Sequence, residues 1–185
     1  MKSKSWCALM VLLPLGVVLA GWREGGKPVP DTPWRKSADD FGAMLMLTDD
    51  PEGFFEQWNR PPSPDYKPQI SKVEETRRGA NVASLVLFIG CKPDDEGNCD
   101  VDADYRILRP DGSVYGERKG AEVWRGRTAP PAEFLQVGAD VFGMNVDPDD
   151  PFGTYVFEAK VRDNHAKVKV ELRQEVRVVE SKQAP

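Results

Sequence analysis

The sequence predicts a mostly β protein, an antiparallel sandwich with one short helix. Three observations carry this. From residue 80 onward the chain is a series of short runs rich in Val, Ile, Phe and Tyr, several alternating apolar with polar residues. Clusters of Pro, Gly, Asp and Asn break those runs at intervals suited to turns. A helix cap followed by helically spaced aromatics occurs once, near residue 50. About seven strands with this spacing suit two packed antiparallel sheets.

Residues 1–20 read as an export signal. Lys2 and Lys4 give a positive start, 6–20 is uncharged, and Val18-Leu19-Ala20 places small residues before a cleavage point at Gly21. The uncharged stretch falls short of the ~20 residues of a membrane helix, and Pro14 and Gly16 weaken it further. Retention as an uncleaved anchor is the alternative. Glycine at 21, and the lack of an apolar run before Cys7, argue against a lipoprotein. Residues 21–36, with Gly25, Gly26, Pro28, Pro30 and Pro33, are expected to be a flexible tether, with Trp22 and Trp34 exposed or loosely docked.

The folded domain is expected over 37–180, with a disordered tail at 181–185. The run 41–48 is a buried strand or a helix turn, and periodicity does not decide between them. Asp50 can cap a helix, Pro51 suits its first position, and Asn59-Arg60-Pro61 ends it. That helix is expected to plug one end of the core, with Phe55 and Trp58 inward. Residues 80–89 read as a strand buried on both sides. In 100–109, Val101, Ala103, Tyr105 and Ile107 face one way and Asp102, Asp104 and Arg106 the other. Pro110-Asp111-Gly112 turns the chain into a partner strand at 113–117. A long loop carrying Trp124, Pro130 and Pro131 then leads to a strand at 135–146. Strands at 154–163 and 167–179 pair across Asn164-His165-Ala166.

Asp150-Pro151-Phe152-Gly153-Thr154-Tyr155 resembles the Asp, Gly, Tyr signature that opens the penultimate strand of immunoglobulin-like domains. In those domains the glycine permits the turn, and the tyrosine hydroxyl bonds back to the loop as a tyrosine corner. Phe157 stands where antibody domains carry the second cysteine, so their inter-sheet disulfide is absent. The resemblance implies an immunoglobulin-like sandwich of the bacterial secreted kind, with Asp150, Gly153 and Tyr155 forming the corner, and no particular family.

Removal of residues 1–20 leaves Cys91 and Cys99, expected to form a disulfide in an oxidising compartment. Closing so short a loop stabilises by about 2–3 kcal/mol. A redox-active pair is disfavoured, because Asp94, Asp95 and Glu96 between the cysteines raise a thiol pKa. Losing Lys2 and Lys4 moves the formal charge from −5 to −7, which argues against nucleic acid and anionic membrane as partners. No cofactor or metal is expected. One histidine, His165, supplies neither a triad nor a zinc site and is expected in an exposed loop. The acidic clusters at 94–104, 147–150 and 49–50 read as solvated faces, with calcium the alternative.

No catalytic residue is expected. The function expected is that of an exported, non-enzymatic binding domain of the periplasm or cell exterior, meeting a protein partner through loops or a sheet edge. Trp124 with Arg125 and Arg127 is the candidate contact, the alternative being a lid over the core. An envelope assembly factor or subunit is the second reading, and a small hydrolase using a carboxylate pair the third.

Overall fold

Alternation decides the main sheet. Strand β10 (Gly153–Asp163) buries Tyr155, Phe157, Ala159 and Val161 and turns Glu158, Lys160 and Arg162 outward. It pairs with β11 (Val168–Val179), which buries Val170, Leu172, Val176 and Val178. The structure is a computed structural model that describes residues 22–24, 27–61 and 72–180. The expected export signal at 1–20 and tail at 181–185 lie outside the described residues. Among the described residues no helix is long and apolar enough to cross a membrane.

The other elements are β1 (Arg23–Glu24), β2 (Lys27–Pro28), β3 (Arg35–Ala38), β4 (Phe41–Thr48), α1 (Pro51–Trp58), β5 (Glu75–Arg77), β6 (Asn81–Ile89), β7 (Asn98–Leu108), β8 (Val114–Thr128) and β9 (Gln136–Asn145). One sheet has the order β5-β11-β10-β7-β8, the other β3-β4-β6-β9, and β1 and β2 form a small ribbon. Pairing is antiparallel except between β5 and β11. The chain thus enters the four-stranded sheet as the β3–β4 hairpin, runs parallel with β11 as β5, returns as β6, and places β7, β10 and β11 side by side. That is the connectivity of an immunoglobulin-like sandwich, with β3 added outside β4.

The inner faces of both sheets share one core, including Phe41, Leu45, Phe88, Tyr105, Tyr155 and Phe157. The four-stranded sheet is buried on its outer face as well. Met46, Leu85 and Leu87 meet Phe54 of α1 there, which explains the unbroken apolar runs of β4 and β6. The helix therefore lies across a sheet rather than plugging an end. Asp50 caps it, accepting from the Gly53 amide at 2.9 Å. Its buried aromatic is Phe54; Phe55 and Trp58, expected inward, are half-buried against Phe54.

Two further expectations are corrected. The segment expected to be a tether is docked over much of its described length. β3 pairs with β4, the Leu45 amide donates to the Trp34 carbonyl, and the Trp22 indole donates to the Lys36 carbonyl at 3.0 Å. Trp124 lies within strand β8, not on a loop. β8 follows β7 along its length through four register shifts. Such bulges interrupt period-two alternation and twist an edge strand away from further pairing.

The Tyr155 hydroxyl donates to the Pro151 carbonyl at 3.1 Å, Gly153 holds a φ of 134°, and the Asp150 carboxylate accepts from the Asp147 amide at 2.8 Å. Burial pushes the Tyr155 hydroxyl pKa up to about 12. Tyr105 offers a natural contrast. It is 2 % exposed and stacks on Phe142, yet its hydroxyl has no hydrogen-bond partner among the described residues. Tyr155→Phe should therefore cost about 1 kcal/mol, whereas Tyr105→Phe should be neutral or slightly stabilising. Urea denaturation midpoints of the two variants check this; equal losses would contradict it.

Candidate functional site

One end of the sandwich gathers the β3–β4 turn, the β6–β7 loop, the β8–β9 loop and the β10–β11 turn. The disulfide Cys91–Cys99 closes the β6–β7 loop, with Cα atoms 6.1 Å apart. Inside that loop the Asp94 carboxylate accepts from the Glu96 and Asn98 amides, and the Asn98 amide holds its pKa below the ordinary carboxylate value.

Asp163, the last residue of β10, joins this loop to the neighbouring turn. It is 0 % exposed. Its carboxylate accepts from the backbone amides of Lys92 at 2.7 Å, His165 at 3.0 Å and Ala166 at 3.0 Å. Nδ1 of His165 lies 3.2 Å from the Lys92 carbonyl, and the ring is half-buried rather than free in a loop. On the other side Gly90 touches the β3–β4 turn; a Cβ there would lie 2.1 Å from the Asp40 carbonyl oxygen.

Between these loops lies an open groove of about 1060 Å³. The half-buried Trp22, Ala38 and Leu135 give it apolar lining, while Phe41 and Ile89, which also border it, are buried. Asp39, Asp40 and Glu133 stand exposed at the lips, and Arg23 and Lys92 are the cations of the lining. Next to Glu133 and Leu135 stands Phe134, 64 % exposed, its amide bonded to the Pro131 carbonyl in a turn.

Trp124, Arg125 and Arg127 do not form a shared loop surface. Trp124 is half-buried and meets Phe88 edge-on at 5.7 Å, and its indole nitrogen lies 3.3 Å from both the Arg127 and Thr128 carbonyls. The Arg127 guanidinium lies 5.3 Å from the Trp124 ring centroid and pairs with Glu122 at 3.4 Å, while Arg125 pairs with Asp100 at 3.1 Å. This is the geometry of a lid over the core edge.

The acidic run in β7 is not a simple solvated face. Arg162 donates to Asp102 at 2.6 Å and to both oxygens of Asp104 at 2.6 and 2.8 Å, and Asn164 adds a bond to Asp102 at 3.0 Å. Asp102 is only 8 % exposed. Among the described residues no three His, Cys, Asp or Glu groups converge as a metal cluster. The Arg162 guanidinium holds the Asp104 carboxyl well below the usual range, burial opposing it in part. A carboxyl lowered on folding contributes stability above its unfolded pKa and loses it as pH falls through the folded one. Asp104→Asn should therefore cost about 1 kcal/mol at neutral pH, a deficit that shrinks progressively below about pH 4. Chemical denaturation at neutral and acid pH checks this; a deficit unchanged with pH would contradict it.

Asp163 and Phe134 carry no motif, so the sequence does not single them out. Asp163-Asn164 before a turn is the signature of a side chain bonding its own backbone two residues on, and Phe134 stands in a proline-bounded loop.

No protein-family model matches the chain, and no curated protein matches it. Among solved structures it is similar to a CARDB domain from Pyrococcus furiosus crystallised in complex with di-metal ions, at 17 % identity and TM-score 0.33 over 58 % of this chain and 81 % of that one. It is also similar to a family 123 glycoside hydrolase from Clostridium perfringens, at 8 % identity and TM-score 0.36 over 75 % of this chain and 27 % of that one. At these scores neither neighbour bears on what this chain binds or does.

Proposed function

We propose that the chain is an exported, non-enzymatic binding domain of the bacterial periplasm or cell exterior, and that it meets a protein partner at the groove end of the sandwich. The observation that carries this reading is Phe134, a large aromatic left 64 % exposed in the chain between Glu133 and Leu135, both of which line the groove. Such a side chain contributes little to the packing of a monomer, and loops on a rigid sandwich commonly carry recognition. The disulfide beside the groove suits an oxidising compartment.

Strand addition, the route of an envelope assembly subunit, has less support. β8 is broken by register shifts, β5 spans three residues, Trp22 bonds to the backbone of β3, and β9 lies against β8, where Arg118 pairs with Asp140 at 2.6 Å. A hydrolase needs two carboxylates set around the reacting bond, and the carboxylates here sit on exposed lips of an apolar-lined groove.

Phe134→Ala should reduce partner capture from native envelope extract at least about tenfold and leave the melting temperature unchanged. Trp124→Ala should do the opposite, lowering the melting temperature while capture per folded molecule persists. Capture undiminished by Phe134→Ala would overturn the reading.

A further inference from the structure

Resting on that reading of the groove, we propose that its occupant is an extended segment of the partner in which a bulky apolar side chain is flanked by lysine or arginine. The half-buried Trp22, Ala38 and Leu135 of the lining accept the anchor. A volume of about 1060 Å³ stands at the top of the range of small-molecule sites and leaves room for several residues of extended chain.

Charge selects the flanks. On the outer face of the five-stranded sheet, acids are matched by bases: Asp100 by Arg125, Asp102 and Asp104 by Arg162, Glu158 by Arg106, Glu75 by Arg177. At the groove the pattern changes. Asp39, Asp40 and Glu133 on the lips are exposed and take part in no ion pair among the described residues. Lys92 and Arg23 are outnumbered there. A rim with a net negative charge around an apolar lining draws a cationic chain toward the mouth and repels an acidic one.

The test uses the mature, disulfide-bonded protein and three synthetic peptides read by calorimetry: Lys-Lys-Phe-Lys-Lys, Glu-Glu-Phe-Glu-Glu and Lys-Lys-Gly-Lys-Lys. The first should bind, weakening as salt rises, and the other two should bind at least about tenfold more weakly. The triple variant Asp39→Asn, Asp40→Asn, Glu133→Gln should lose about tenfold in affinity for the first peptide, and most of its salt dependence, at an unchanged melting temperature. Asparagine tolerates the φ of 53° that Asp39 adopts, so the turn is retained. Equal binding of all three peptides, no binding of the first, or indifference to the triple variant would each overturn the proposal. If the first peptide fails to bind while Phe134→Ala still abolishes partner capture, the chemistry of the occupant falls and the contact surface stands. If Phe134→Ala leaves capture intact, the contact surface itself falls.

Discussion

Asp163→Ala should lower the stability of the domain by about 3 kcal/mol or more, and its melting temperature by roughly 10 °C. The carboxylate is buried and accepts three backbone amides from two different loops. Removing it strands those donors where water replaces the lost acceptor poorly, and each stranded group costs about 1–3 kcal/mol. Asp163→Asn should fall between, because one oxygen remains to accept while the new amide nitrogen opposes another donor. Lys92 and Ala166 line the groove, so the alanine variant should also raise amide exchange at Lys92. A stability change within about 0.5 kcal/mol would mean the two loops are held by other contacts.

Gly90→Ala should cost about 3 kcal/mol, from two causes acting together. The residue holds a φ of 66°, a region that L side chains avoid, and the added carbon would meet the Asp40 carbonyl oxygen at 2.1 Å. Both contacting groups are backbone, so either the end of β6 or the β3–β4 turn must move, and both border the groove. Gly97 provides the control. It adopts a φ of 84°, and a methyl group added there would meet nothing within 4 Å. Gly97→Ala should therefore cost only the backbone strain, about 1 kcal/mol. Equal costs at the two sites, measured by urea denaturation, would show that the approach of Asp40 is unimportant.

The strands legible in the sequence are those whose environment has two faces. Tyr155 to Val161 and Val101 to Ile107 alternate because one side meets the core and the other the charged outer face. β6 reads as a continuous apolar run because both its faces are covered. The tyrosine corner is visible through local turn chemistry around Gly153 and Tyr155. What escapes such reading is set by distant neighbours. β8 reads as a loop because its bulges shift the alternation and its outer residues are exposed and charged. β3 follows a proline-rich stretch, and its pairing with β4 is supplied by tertiary contact. The inward face of α1 depends on where the helix docks, and eight residues do not fix that from spacing alone.

The candidate site is less legible for the same reason. Asp163 reads as one more surface acid at a strand end, and only the packing of the β6–β7 loop against it makes it a buried anchor. Trp124 reads as an exposed loop aromatic because its flanking arginines are polar; their ion pairs with Glu122 and Asp100 draw them along the sheet and leave the ring on the core. Phe134 is the reverse, an apolar residue that packing leaves in water.

The most direct test of the groove as the contact surface is a hydrogen-exchange footprint of the full chain, free and with its captured partner. Slowed exchange should concentrate at 38–41, 89–93 and 132–135, the segments that border the groove. Slowed exchange along 114–120 of the β8 edge, or around Trp124, with those segments unchanged, would contradict the account.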